Sequence, residues 1–373
     1  MPAPVRTLLC GDVMTGRGVD QILPHPSDPR LFERWATSAA DYVRLAERAN
    51  GPIGRGASFD YPWGEATHAW RDAAPDLMIV NLETAVTRSN RHALKGVNYR
   101  MSPDNVGCLA AAGIDACALA NNHVLDWGRE GLNDTLAALK GAGIRPVGAG
   151  RDLREACAPT ILEAGRHSRV LLIACAVADS GVPTSWAARN DHSGVNLIDL
   201  SDGVVEAMAA SLETVRRPGD IAVVSIHWGP NWGYDIGADQ RRFAHALIRR
   251  AGVSIVHGHS SHHPKGVEVC DGRLILYGCG DFLNDYEGIA GHEAFRGDLV
   301  AAYLASVDPR NGRLTGLDIL PFRIRRLRLQ RLADDDLAWL SARLDRECAR
   351  LGTRIVPGAS GRLSLQWPDL PKG

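Results

Sequence analysis

Val253–Asp285, VSIVHGHSSHHPKGVEVCDGRLILYGCGDFLND, is the stretch that carries the reading of the whole chain. The apolar, β-branched run Val253–Val256 stops at His257-Gly258-His259, and His262 and His263 follow after two serines, so four imidazoles fall within seven residues. Neutral imidazole is the commonest side-chain metal ligand, and a strand that stops at Gly-His lets the ring leave the sheet while small residues let the backbone crowd a cation. A second apolar run, Arg273–Tyr277, opens into Gly278-Cys279-Gly280-Asp281. Glycine-rich polar loops at strand ends are where open α/β sheets bind ligands. Any one of these histidines alone reads as a surface-loop residue; the cluster reads as a metal site.

The same punctuation recurs upstream. Val5–Cys10 is a short apolar run ending in Gly11-Asp12 and a glycine-rich turn that contains Arg17. That pattern suits an oxyanion or metal site and equally an ordinary strand-to-loop turn. Asp76–Val80 ends in Asn81-Leu82-Glu83, and Ile114–Ala120 delivers Asn121-Asn122-His123, although an Asn pair also forms turns. Ile221–Ile226 ends in His227-Trp228-Gly229. In a mostly parallel sheet such ends gather on one edge. Asp12, Glu83, Asn122, His227, His259 and His262 then offer mixed oxygen and nitrogen ligands. With no cysteine in the set, they suit one or two divalent ions of Mn, Fe, Zn, Co or Mg.

Between these strands the spacing predicts helices over Leu31–Asn50, Trp63–Ala73, Val106–Ala112, Gly128–Gly141, Val204–Arg216 and Asp239–Ala251, the last capped by Gly252. Short strands are expected at Ile144–Gly148, Ala158–Glu163, Arg169–Val177 and Gly194–Ile198, with a turn at Gly165-Arg166-His167. Asp298–Val307 and Leu314–Arg325 alternate as an antiparallel pair. Arg323–Arg331 reads as an exposed strand face, and Asp334–Leu351 as an amphipathic helix with an acidic first turn. Gly352–Gly373, rich in Pro and Gly, reads as a loose tail.

The 373 residues, 45% of them hydrophobic, are enough to bury a large core. Lys and Arg total 42 against 43 Asp and Glu, with no long run of one sign, which does not call for nucleic acid or an anionic membrane. Eight cysteines are scattered without ligand spacing, mostly in apolar runs such as those around Cys117 and Cys175. They read as buried thiols of a reducing compartment. The start lacks the features of a signal peptide and no stretch reaches the roughly 18 apolar residues of a membrane helix, so a soluble, cytoplasmic protein without a membrane anchor is expected. Trp63, Trp127, Trp228 and Trp232 stand beside the motifs, as core residues or as walls of a pocket.

In this order GDVMTGRG, NLET, ANNHVLDWG, IHWGPNWGY, HGHSSHHPKGVE and YGCGDF resemble the motif series of the CapA family of poly-γ-glutamate capsule biosynthesis proteins, which is similar to calcineurin-like metallophosphoesterases. The resemblance covers about Val5 to about Arg325. It implies an α/β fold, a four-layer αββα sandwich of two mixed β-sheets, with residues 1–330 as the domain and 331–373 as a C-terminal helix and tail packed on it or extending from it. It also implies roles: Asp12 as the first-strand carboxylate, Glu83 as the bridging acid, Asn122, His227 and His259 on one metal, and His262 on the other. His123 would be the acid or phosphate-contacting imidazole, and Arg17 a stabiliser of developing charge. Three departures stand out. Met14 occupies the position where metallophosphoesterases carry a histidine, Ser260 and Ser261 lengthen the last motif, and Asp281 replaces a common Asn.

Three functions follow from the resemblance. The first is a metal-dependent hydrolase acting on a phosphoester or a γ-glutamyl or amide-type substrate, small or oligomeric and anionic. The second is a non-catalytic, metal-binding component of polymer biosynthesis. The third is an exopolysaccharide or peptidyl tailoring enzyme. Fold alone does not choose among them.

Overall fold

Runs of aliphatic and β-branched residues form two large mixed sheets, described by a computed structural model for residues 3–165 and 168–368. The larger has the strand order Arg354–Pro357, Leu363–Gln366, Arg313–Ile324, Leu299–Asp308, Val5–Val13, Leu77–Leu82, Ala116–Ala118, Arg145–Val147. From Val5–Val13 to Arg145–Val147 the strands are parallel; on the other side of Val5–Val13 they are antiparallel. In the smaller sheet Leu197–Ile198, Ser168–Val177, Ile221–His227, Ile255–His259 and Arg273–Leu276 run parallel, with antiparallel Val267–Cys270 and Thr160–Ala164 attached.

Alternation along each strand sends side chains to two apolar environments. Leu9, Ile79 and Ala118 of the larger sheet share one cluster with Leu172, Val223 and Ile255 of the smaller. Leu8 and Val80 instead pack with Leu132 and Leu136 of the helix Gly128–Gly141. Ile173, Val224 and Val256 pack with Leu212 of Asp202–Glu213 and with Phe243 and Leu247 of Ala238–Ala251. The last helix ends where Gly252, at φ 62°, returns its amide to the Leu247 carbonyl, a conformation glycine adopts without a Cβ penalty. The chain then enters Ile255–His259.

Several expectations need correction. The helix expected from Leu31 starts only at Ala40; just before it, Ser38 Oγ accepts from Ala40 N and the Asp41 carboxylate reaches back to Ser38 N. Residues 31–39 form an irregular loop that exposes Trp35. Gly194–Ile198 is two short strands in different sheets. The Arg323–Arg331 strand is broken at Arg326 and Leu327, both at positive φ, where the Glu287 carboxylate accepts both backbone N–H groups. The loose tail is a hairpin: Arg354–Pro357 and Leu363–Gln366 extend the larger sheet, and Ile355, Leu363 and Leu365 join the cluster between the sheets together with Leu340 and Leu344 of the helix Asp334–Ala349. Three apolar side chains in register outweigh the Pro and Gly content of the segment. Arg166 and His167 of the expected turn lie outside the described residues. All eight cysteines are free thiols. No helix among the described residues is long and apolar enough to cross a membrane.

Candidate metal centre

The site forms where parallel strands of both sheets end side by side. Asp12 sits in register with Asn81 on one neighbour and with Asp281 on the other, and His227 is in register with His259. Gly11 sets the aim of Asp12. The strand register shifts there, and a Cβ on residue 11 would fall 1.8 Å from the Gly280 carbonyl oxygen, which accepts the Asp12 N–H at 3.0 Å. Only glycine allows that approach. Asn81 Nδ2 donates to Asp12 Oδ1 at 2.7 Å, and the Ser260 N–H donates to Oδ2 at 3.2 Å. Ser260 adopts φ 100°, a backbone state costing on the order of 1–3 kcal/mol for a residue with a side chain. Its hydroxyl, donating to the Gly229 carbonyl at 3.0 Å, helps hold it there.

Two groups of ligand atoms result, Asp12–His227–His259 and Asp12–His262–Asp281, with atoms in each within 4.8 Å of one another and all five residues buried. Asp12 is shared. Glu83, expected as the bridging acid, lies against Asp12 and accepts from Asn81 Nδ2 at 3.4 Å, outside both groups. Its Oε1 is 3.7 Å from His123 Nε2. Asn122 is half-buried, and its side-chain carbonyl oxygen is a buried acceptor without a partner among the described residues. Asn121, by contrast, is occupied: its amide donates to Asn81 Oδ1 and to the Leu82 carbonyl.

A hydrogen-bond chain fixes which nitrogen of His259 is bare. His257 Nε2 is 2.9 Å from the Cys10 carbonyl on the opposite sheet and must carry the proton. His257 Nδ1 therefore accepts from Ser225 Oγ at 3.0 Å, and Ser225 Oγ accepts from His259 Nε2 at 2.9 Å. His259 Nδ1 is left with a free lone pair, 2.9 Å from His227 Nδ1 and 3.8 Å from Asp12 Oδ1. Two imidazole nitrogens bound to one ion at about 2.0–2.1 Å lie roughly 3 Å apart.

Burial dominates the electrostatics. It raises the Asp12 pKa to about 7, with Asp281 adding to the effect, and raises that of Glu83, with Asp12 adding. It holds His227 and His259 well below the ordinary imidazole value. For His262 burial acts downward, but the partner Asp281, 2.8 Å from Nδ1, outweighs it and the net shift is up. Buried carboxylates beside neutral imidazoles and an unpaired carbonyl oxygen form a donor set that a divalent cation fits.

His123 stands beside this set. Its Nδ1 is 2.6 Å from Asp126 Oδ2, and Asp126 also accepts from Lys95 Nζ at 2.8 Å and from the Tyr99 N–H at 2.6 Å. Nδ1–H donates to Asp126, so Nε2 is turned toward Glu83 and the site. Burial lowers the His123 pKa to about 4. Arg17 is buried and committed: its guanidinium pairs with Asp285 and Glu33 and lies over the Tyr42 ring at 3.7 Å. Met14 belongs to neither group; its sulfur accepts from Tyr286 Oη at 3.5 Å. Trp63, Trp127 and Trp228 are core residues, and Trp232 lines a cleft beside His262.

In the sequence Asp281 stands out as a departure from the family pattern and not as a ligand, and nothing there gives Asp126 or Ser225 a role. Asp281 had a signal, since it ends the glycine-rich exit of the Arg273–Tyr277 run, and Asp126 follows His123 by three residues, within one hydrogen-bonded turn. Ser225, inside an apolar run, had none.

Residues 6–286 match the bacterial capsule synthesis protein PGA_cap family. A probable polyglutamine synthesis accessory protein from two strains of Mycobacterium tuberculosis is 51% identical over 95% of this chain and 94% of its own length. The PGA biosynthesis protein CapA of Bacillus subtilis is 29% identical over 74% of this chain and 62% of its own length. Among solved structures, a phosphatase from Mycoplasma pneumoniae superposes with a TM-score of 0.50 at 11% identity, covering 87% of this chain and 95% of that one, a likeness of fold. The chain belongs to the PGA_cap family of bacterial capsule synthesis proteins, the CapA family, and its fold is similar to that of a phosphatase.

Proposed function

We propose that this protein is a divalent-metal-dependent hydrolase of the CapA family that acts on a phosphoester or a γ-glutamyl or amide-type substrate in the synthesis of a polyglutamate or related polymer. The observation that carries the proposal is the pair of ligand groups sharing Asp12 with the His123–Asp126 pair alongside. A bound divalent ion lowers the pKa of a coordinated water and polarises the scissile group. Asp12, His227, His259 and Asn122 are assigned to one ion, Asp12, His262 and Asp281 to a second, and Glu83 sits between Asp12 and His123. His123, its Nδ1–H held by Asp126, is assigned to proton transfer: its bare Nε2, turned toward Glu83, takes up a proton at the site and hands it on to the leaving group. Arg17, paired on both sides, is assigned to hold the loop walls around the site.

The reading extends to architecture and setting. The distribution of the clusters supports a four-layer αββα sandwich, with residues 1–330 as the domain and 331–373 as an addition that closes one end of the core between the sheets. The eight free thiols support a cytoplasmic setting. Met14 favours a second reading, a non-catalytic metal-binding component of the polymer-synthesising apparatus, because a thioether is a poor ligand for a hard cation. Metal analysis of the purified protein followed by a panel of phosphoesters and γ-glutamyl peptides separates the two. Turnover that is lost on chelation and regained on adding metal supports the hydrolase; full metal content with no turnover of any panel member transfers the assignment to the second reading.

A further inference from the structure

A cavity of about 560 Å³ opens outward from His262, a volume suited to a small-molecule moiety. Its walls are aromatic and aliphatic: Trp35, Tyr42, Tyr99, Trp232, Tyr286 and Ile289. Trp35 is 67% exposed and Ile289 47%, large apolar side chains left at the mouth by two separate loops. Both line the cavity and add apolar surface to its walls. Trp232 is itself stacked on His292, 3.9 Å away and nearly parallel, which fixes the indole in the cavity wall.

The charges on the walls run against an acidic polymer. The lining arginines are Arg17, Arg296 and Arg323, and each is paired with two carboxylates: Arg17 with Asp285 and Glu33, the other two with Asp298 and Asp336. Glu287 and Glu293 also line the cavity, held by backbone N–H groups. Arg17, Arg296 and Arg323 are matched on the walls by Glu287, Glu293 and Asp298, so a chain of γ-linked glutamates entering here would meet no surplus of positive charge, and its own charges would lose their water.

We infer that this cavity binds an uncharged, ring-bearing portion of the substrate, joined to the anionic group that the site beyond His262 receives, and that it is not a channel for a polyglutamate chain. What lies at the inner end rests on the metal-centre reading above; the character of the cavity rests on its own walls.

The test uses binding to the full-length, manganese-loaded protein, followed by tryptophan fluorescence. Four probes are titrated: benzyl alcohol, phenylphosphonate, methylphosphonate and tri-γ-glutamate. Benzyl alcohol is expected to quench the signal, and phenylphosphonate to bind at least tenfold tighter than methylphosphonate. Trp35→Ala, at an exposed position, should erase that preference while leaving methylphosphonate affinity and metal content unchanged, and Trp232→Ala should weaken benzyl alcohol binding as well. The inference is overturned if tri-γ-glutamate displaces benzyl alcohol, if both phosphonates bind and do so with equal affinity, or if benzyl alcohol binds both variants as it binds the parent. Binding of benzyl alcohol, sensitive to Trp35, with no binding of either phosphonate would uphold the cavity assignment and sink the phosphoester form of the proposed function.

Discussion

Replacing Ser225 by Ala breaks the chain that links the two sheets through His257 and His259. The Ser225 hydroxyl donates to His257 Nδ1 at 3.0 Å and accepts from His259 Nε2 at 2.9 Å, all in a buried environment. Without it His257 Nδ1 loses its donor and His259 Nε2 its acceptor. Each unpaired buried group costs about 1–3 kcal/mol, so the metal-free variant should lose roughly 2–6 kcal/mol of stability, the lower end applying if a water enters. The effect on metal is more specific. His259 is no longer obliged to keep its proton on Nε2, the tautomer with a protonated Nδ1 becomes accessible, and affinity for the ion should fall about 10–100-fold, the usual cost of removing the partner of a ligating imidazole. Competition against a chromophoric chelator measures this directly, with Ser180→Ala as the control, since that buried hydroxyl donates to the Val177 carbonyl outside the chain. If Ser225→Ala binds zinc or manganese within twofold of the parent protein, the tautomer argument is wrong and His259 does not present Nδ1 to an ion.

Three further outcomes are expected. His259→Ala should lower metal content and any hydrolysis together, whereas His123→Ala should retain metal and lose turnover by a factor on the order of a hundred or more; full activity in His123→Ala would remove its assigned role. In metal-free protein the raised pKa of Asp12, about 7 in the fold against an ordinary 3.8, means that the folded state holds more protons than the unfolded one between those values, so this group's contribution to stability falls as pH rises from about 4 to about 7. Asp12→Asn removes that slope, and losing the Asp12 charge also lowers Glu83 and His262, which acts in the same direction, so the melting temperature of the variant relative to the parent should climb across this range without metal, and a difference independent of pH would contradict the buried-acid reading. Finally, Leu363→Ala should cost about 2–5 kcal/mol in denaturant unfolding, as for a core leucine, because its side chain lies in the cluster between the sheets; a change under about 0.5 kcal/mol would mean that the C-terminal hairpin is not part of the core.

The sequence by itself determined the strands and what stands at their ends. Apolar runs of four to seven residues closed by Asp12, Asn81, Asn122, His227 and His259 are local patterns, and parallel strands gather such ends on one edge of each sheet. The order of those motifs was enough to point to the family. The helix Gly128–Gly141 was equally legible, since its leucines recur at helical spacing. Tertiary structure alone decided the rest. It put Asp281 in register with Asp12, through a pairing of strands some 270 residues apart, and so made Asp12 the carboxylate common to both ligand groups. The fold turned Ser225 from one more small residue in a buried strand into the link that sets a tautomer, because hydrogen bonds between neighbouring strands leave no mark on either strand's periodicity. Ile355, Leu363 and Leu365 bury only because the gap between two sheets was there to receive them, and tertiary burial outweighs the loop-like composition of the segment that carries them. Arg17 shows the same reason from the other side: its sequence position suggested a free charge near the chemistry, and two carboxylates brought to it by distant loops, Asp285 and Glu33, leave it paired instead.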